Sequence, residues 1–169
     1  MTVDIAFAEA LDDLTGVAEL TRRFLEWDLA EFERVSGLSL SLDEYVSNTL
    51  DHLEDYMPPD GRIALARDEL GSLLGIVMLR KLSPGVAEIK RLFVDPEGRG
   101  KGIGRRLVGS LLEQAREIGY EQVFLDTATY MPAAHRLYRN FGFHDTGPYP
   151  GSENDETVQK YLLFMKLDL

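Results

Sequence analysis

Apolar positions along the chain change period several times, and the changes mark elements. Val3–Ala8 reads as a first strand. Leu11, Leu14, Val17, Ala18, Thr21, Phe24 and Leu25 then recur at three- and four-residue steps, which predicts an amphipathic helix running on toward Phe32 and ending before Ser36-Gly37. Ser41-Leu42-Asp43-Glu44 has the form of a capping box. Behind it, Tyr45, Val46, Leu50 and Leu53 supply the apolar face of a second helix, stopped by Pro58-Pro59-Asp60-Gly61. Strands follow at Arg62–Arg67, Ser72–Leu82 and Val86–Val94, separated by turns at Asp68-Glu69-Leu70-Gly71 and Ser83-Pro84-Gly85. After the glycine-rich stretch Asp95–Gly102, Ile103, Leu107, Leu111, Ala115 and Ile118 line one face of a helix, with Gly119 placed to end it. Gln122–Thr127 reads as a strand, Pro132–Phe141 as a short helix, and Phe143–Pro148 and Val158–Leu167 as closing strands. Hairpins first and a strand-helix-strand crossover later predict an α/β (α+β) fold, a mixed sheet with helices on both faces. No internal repeat or linker interrupts residues 1–169, so a single domain is expected.

Composition narrows the function. The chain has 169 residues, enough for a sizeable core, and no cysteine, which excludes thiolate metal sites and a cysteine nucleophile. His52, His135 and His144 share no metal-ligand spacing, so no metal is expected. The net charge of −11 is unevenly spread. Residues 1–60 hold 15 acids against 3 bases, whereas residues 80–106 hold 8 bases against 3 acids. An acidic body argues against nucleic-acid and anionic-membrane partners, because phosphate contacts need positive potential. The basic island points to a local site for a small anion. No stretch approaches the roughly 18 apolar residues of a membrane helix, and Met1–Ala10 lacks the form of a targeting segment. The expected location is cytoplasmic.

The richest stretch joins an apolar strand to an amphipathic helix: Val94-Asp95-Pro96-Glu97-Gly98-Arg99-Gly100-Lys101-Gly102-Ile103-Gly104-Arg105-Arg106. Glycines let backbone N–H groups approach a ligand, and a helix N-terminus adds unpaired donors and partial positive charge. The combination suits a pyrophosphate. A Walker loop would need Ser or Thr after Lys101, where Gly102 stands, and the third glycine of a dinucleotide fingerprint begun at Gly98 would fall on Ile103. The pattern that fits is Arg99-x-x-Gly102-x-Gly104. About 30 residues on comes Ala134-x-x-Leu137-Tyr138-x-x-x-Gly142-Phe143, on the predicted short helix. In these two motifs the chain resembles the GNAT superfamily of acetyl-CoA-dependent N-acetyltransferases. One departure is Met131, where many members have an asparagine whose amide contacts the cofactor.

The resemblance implies a GNAT-like, mostly antiparallel twisted sheet with a splayed central strand pair, Val86–Val94 and Gln122–Thr127. It implies a bulge in the first of these and a pantetheine arm along Leu92, Phe93 and Val94. It implies pyrophosphate binding by Arg99, Gly100, Lys101, Gly102, Ile103 and Gly104, with Arg105 in reach. Acetyl-CoA is the implied co-substrate, and the implied reaction is direct attack by a primary amine. Tyr138 matches the family tyrosine near the cofactor sulfur, a proton donor to the departing thiolate; otherwise it is a core tyrosine. Glu88 matches strand glutamates that serve as base in several members; otherwise it is an ion-pair partner of Lys90 or Arg91. Trp27, Asp28 and Tyr45 on the first two helices, Thr127 at a strand end and Tyr149 in the late loop are the candidate acceptor contacts. The acceptor is expected to be a small amine or an amino-acid-like compound, with a protein lysine or N-terminus next, and the chain a monomer or homodimer. A non-catalytic acyl-CoA-binding or sensor module is the reading from another class.

Overall fold

A computed structural model describes residues 2–169. Its elements in chain order are β1 (Val3–Phe7), α1 (Val17–Ser36), α2 (Leu42–Leu50), β2 (Arg62–Asp68), β3 (Leu73–Ser83), β4 (Val86–Val94), α3 (Ile103–Ile118), β5 (Gln122–Ala128), α4 (Pro132–Asn140), β6 (His144–Thr146), α5 (Glu156–Gln159) and β7 (Leu162–Asp168). The strands form one sheet in the order β1-β2-β3-β4-β5-β7-β6. All neighbours are antiparallel except β4 and β5. This is the mixed, mostly antiparallel sheet expected from the order of elements. Among the described residues, no helix is long and apolar enough to cross a membrane.

Alternation along the central strands decides which helix covers which face. Ile63 and Leu65 of β2, with Ile76 and Met78 of β3, pack with Val17 and Leu20 of α1. Their neighbours Ala64, Ala66, Val77 and Leu79 pack instead with Leu107, Leu111 and Ala115 of α3. Helix α3 approaches β3 closely at Gly75, where a β-carbon would lie 3.0 Å from Leu107 Cδ1 and 3.1 Å from the Phe93 carbonyl oxygen.

Several boundaries differ from the sequence reading for local reasons. Leu11 and Leu14 lie in a separate 3-10 turn, because Gly16 takes a left-handed conformation (φ 86°) that breaks the helix there; α1 starts at Val17 and runs through Ser36, one residue past the expected end, with Gly37 as its C-cap. Leu53 leaves α2 for a second 3-10 turn, Leu53–Tyr56. Ser41 caps α2 by accepting the Glu44 N–H. The last strand begins at Leu162 rather than Val158, because Asp155 caps the short helix α5 in between. The expected strand Phe143–Pro148 shortens to the three residues of β6.

Two irregularities in the sheet create the site. Strands β4 and β5 pair only from Val86↔Gln122 to Ile89↔Leu125, and beyond that point they separate. Between Ile76↔Phe93 and Met78↔Lys90, β4 spends one residue more than β3, so a bulge falls at Arg91–Leu92. Arg91 takes the left-handed region there (φ 57°), which costs a non-glycine residue about 1 kcal/mol or more.

Because α3 seats on Gly75, Gly75→Ala is expected to lower stability by about 1–3 kcal/mol. A melting temperature equal to the wild type would show that the close approach is not a constraint.

Candidate active site

The bulge undoes strict alternation, so that Lys90 and Arg91 both turn toward the side of the sheet covered by α1 and α2. Together with Asp28 and Tyr45, and with Asp126 and Thr127 of β5, they line a cavity of about 120 Å3 beneath α1. Glu153 and Asn154, from the loop before α5, form part of its wall, and Tyr138 of α4 lines it as well. An open groove of about 380 Å3 runs beside it, bordered by Trp27, Leu92, Val94, Arg99, Gly104 and Pro132. Cavity and groove share Phe24, Leu92, Tyr130, Met131 and Ala134, so they meet where β4 and β5 part.

Lys90 organises the charges. Its side chain is only 2% exposed, and Nζ lies 3.2 Å from Asp126 Oδ2, 3.4 Å from Glu88 Oε1 and 3.5 Å from Glu153 Oε2. Burial alone would push the lysine pKa down, but the three carboxylates outweigh it and hold the ammonium above its usual range. Arg80 Nε donates to Glu88 Oε2 at 2.7 Å, and Arg91 Nε donates to Thr49 Oγ1 at 3.0 Å. Glu153 pairs with Arg80, Lys90 and Arg91. Burial raises the Glu153 pKa, but those three cations prevail and hold its carboxyl below the ordinary value. Asp28 differs: burial dominates and raises its pKa, against a hydrogen bond from Tyr130 Oη to Oδ1 at 2.7 Å. Desolvation also pushes Tyr138 well above the usual phenol, assisted by the charge of Asp126, so it carries its proton at neutral pH. Its hydroxyl makes no hydrogen bond to the described residues.

The glycine loop lies at the other end of the groove. Asp95 Oδ1 accepts the Glu97 N–H, and Oδ2 pairs with Arg23 of α1, which ties the loop to the helix over the cavity. Gly100 and Gly102 are both left-handed (φ 76° and 74°), and a β-carbon at either would point into open space. Gly102 begins α3 with no side-chain cap, so the first N–H groups of α3 face outward unpaired by any cap. Arg99 Nε reaches the Val94 carbonyl at 3.3 Å, and Lys101 Nζ donates to the Glu97 carbonyl. An uncapped helix start beside open left-handed glycines and two cationic side chains fits a diphosphate.

Comparison with known proteins agrees with this geometry. The sequence model of the Acetyltransferase (GNAT) family matches residues 21–143. The chain belongs to that family. It is 34% identical over 148 residues to an uncharacterized N-acetyltransferase of Schizosaccharomyces pombe, covering 87% of this chain and 86% of that one. It is 38% identical over 125 residues to an IAA acetyltransferase of Azospirillum brasilense, covering 69% and 81%. A GNAT superfamily phosphinothricin acetyltransferase of Sinorhizobium meliloti, solved in complex with acetyl-CoA, shares the fold with a TM-score of 0.70 at 22% identity, covering 100% of this chain and 89% of that one.

Within the GNAT frame, the expected site residues fall in different places. Glu88 is fully buried and does not line the cavity. Its oxygens are held by Arg80, Lys90 and Tyr149, whose hydroxyl donates to Oε1 at 2.7 Å. Glu88 is thus an ion-pair partner of Lys90 and Arg80. Tyr149 is likewise buried and donates to Glu88. Trp27, 43% exposed, borders the groove and not the cavity. Arg105 lies over the Phe141 ring at 5.4 Å, outside the groove lining. Asp28, Tyr45 and Thr127 do line the cavity. Lys90 and Tyr130 were not singled out as site residues; Asp126 ends the strand beside Thr127 and lines the cavity with it. A charged pair alternating with apolar residues in Ala87-Glu88-Ile89-Lys90, on a strand covered on both faces, was the available signal for Lys90. Glu153 sits in a loop without periodicity, and no sequence signal marks it.

Removing Glu88 takes a buried carboxylate from both Arg80 and Lys90, leaving Glu153 to both and Asp126 to Lys90. Glu88→Ala is expected to cost about 3–5 kcal/mol; a loss below 1 kcal/mol would show that the network is not needed. The depressed Glu153 pKa contributes stability that is present above the unfolded value, about 4.3, and lost as pH falls through the folded value. Glu153→Gln should therefore be less stable than wild type at pH 7 and show a shallower loss between pH 5 and 3. Superimposable acid limbs in chemical denaturation would contradict this.

Proposed function

We propose that this GNAT protein transfers the acetyl group of acetyl-CoA to a small primary amine held in the cavity under α1. The observation that carries the reading is the junction itself. A groove leading from the glycine loop meets a small, charged, partly enclosed cavity at the parting of β4 and β5, with the Tyr138 side chain in the cavity wall. Acetyl-CoA supplies the acetyl group as a thioester.

The residues of the chain divide the remaining work. Arg99 and the backbone of Gly100–Gly104, with Lys101, hold the pyrophosphate. The edge of Leu92–Val94 turned away from β3 pairs with no strand among the described residues and offers its backbone groups to the pantetheine amides as an added strand would. A backbone N–H of that edge donates to the carbonyl oxygen as negative charge develops there. Asp126, which faces the cavity and is held by Lys90 and Asn154, accepts the proton that the ammonium must lose. Tyr138, which keeps its proton, donates a hydrogen bond to the sulfur as the thiolate departs; the thiolate, of pKa about 8.5, then takes its proton from solvent. Met131 occupies the junction in place of an amide, with its sulfur 3.9 Å from Thr127 Oγ1. The small volume of the cavity supports a small-molecule acceptor, in keeping with the substrates named for the phosphinothricin acetyltransferase.

A thiol-release assay with acetyl-CoA across amines, amino acids, aminoglycosides and peptides tests the reading. Turnover is expected with small amines. No release with any acceptor, together with stabilisation by acetyl-CoA, would leave a binding module. Tyr138→Phe keeps the shape and is expected to lower kcat about 100-fold or more with little change in KM. Because the raised phenol pKa keeps Tyr138 protonated, the wild type should show no rate loss from its ionisation below about pH 10. An unchanged kcat in the phenylalanine variant would remove the role.

A further inference from the structure

The charges around the cavity do not balance. Its lining carries two cations, Lys90 and Arg91, and three carboxylates, Asp28, Asp126 and Glu153. Two of the carboxylates are spoken for: Asp126 pairs with Lys90, and Glu153 pairs with Arg80, Lys90 and Arg91. Asp28 forms no ion pair among the described residues. Tyr130 Oη donates to its Oδ1, and no donor serves Oδ2. A carboxylate withdrawn from water without a cation is costly, and it lowers that cost by taking one from a ligand.

The surroundings of Asp28 suit a cation with an apolar tail. Phe24 and Phe32 stand one turn to either side of it on α1, and Tyr45 and Tyr130 complete an aromatic wall. Aromatic faces attract cations and cover methylene groups. The reacting end of the acceptor lies elsewhere. Tyr138 belongs to α4, which packs with α3 against the opposite face of the sheet from α1, so the cavity reaches from the opening between β4 and β5 to the underside of α1.

We propose that the acceptor carries two cationic groups a few methylenes apart, a diamine or similar compound, and that Asp28 with its aromatic wall receives the group that is not acetylated. This rests on the acetyltransfer reading above and assigns its substrate class. Arg91 is engaged through Nε with Thr49 and through Nη2 with Glu153, and the surplus negative charge of the lining disfavours an acceptor bearing a carboxylate in that place.

Three acceptors of one length separate the possibilities: 1,4-diaminobutane, butylamine and 4-aminobutanoate, which place a positive, an absent and a negative charge at the far end. Thiol release by the full chain with acetyl-CoA is expected to favour the diamine over butylamine by about tenfold or more in kcat/KM, with 4-aminobutanoate slowest. Asp28→Asn is expected to bring the diamine-to-butylamine ratio close to one, chiefly through KM. A diamine no better than butylamine, or a preference for 4-aminobutanoate, overturns the proposal. So does an Asp28→Asn variant that slows all three equally, because Asp28 would then act on the reacting amine. Should the variant not fold, the wild-type order decides. If acetyl-CoA stabilises the chain and no amine releases thiol, the acetyltransfer reading fails separately. Calorimetry of 1,4-diaminobutane then reads the Asp28 site alone: binding weakened about tenfold by Asp28→Asn supports it, and no binding to the wild type overturns it.

Discussion

A buried lysine stands where two parallel strands stop pairing. Ile89 and Leu125 are the last residues of β4 and β5 in register, and the next residue on each strand, Lys90 and Asp126, meet through their side chains at 3.2 Å. Backbone hydrogen bonds no longer join the strands, so a charge pair joins them. The separation on one side of that pair opens the groove, and the charges on the other side line the cavity. Ion pairs of this kind add little net stability, since desolvation offsets most of the attraction. Their effect is on geometry: each carboxylate must stay where Lys90 can reach it, which fixes β5, the Glu153 loop and β4 relative to one another.

The uneven charge of the chain has a structural answer in two parts. The basic island of residues 80–106 divides. Arg80, Lys90 and Arg91 are turned inward against Glu88, Asp126 and Glu153, while Arg99 and Lys101 remain at the glycine loop. Of the 15 acids in residues 1–60, Asp28 alone lines the cavity, and the rest are largely spread over the outer surface. A regional count of charge thus overstated both features. The cavity is lined by one carboxylate from that region, Asp28, and by two acids, Asp126 and Glu153, from outside it.

The glycine loop and the acceptor cavity are mechanically connected. Arg23 of α1 pairs with Asp95 at the start of the loop, and Tyr130, on the turn after β5, donates to Asp28 on the same helix. Helix α1 is therefore held at one point by the loop and at another by the turn that precedes α4, the helix carrying Tyr138. Any shift of α1 alters the groove and the cavity together, because Phe24 borders both.

Local chemistry was legible in the order of residues. Strand β4 has the limits its apolar run predicts, Gly119 ends α3, and the loop motif and the tyrosine motif lie on a strand-to-helix turn and on a short helix as read. Each of these depends on neighbours within a turn or a hairpin, where steric preference and periodicity act directly. The partners of the charged side chains were not legible. Glu88 was read as a base or as an ion-pair partner of Lys90 or Arg91; Arg80 and Tyr149, eight and 61 residues away, hold its oxygens together with Lys90. Arg91 meets Glu153 across 62 residues, and Asp28 meets Tyr130 across 102. Which carboxylate is neutralised and which is left without an ion pair is set by the parting of two strands and the path of one loop. No local pattern encodes that choice, because the energy of a buried charge depends on what the rest of the fold brings beside it.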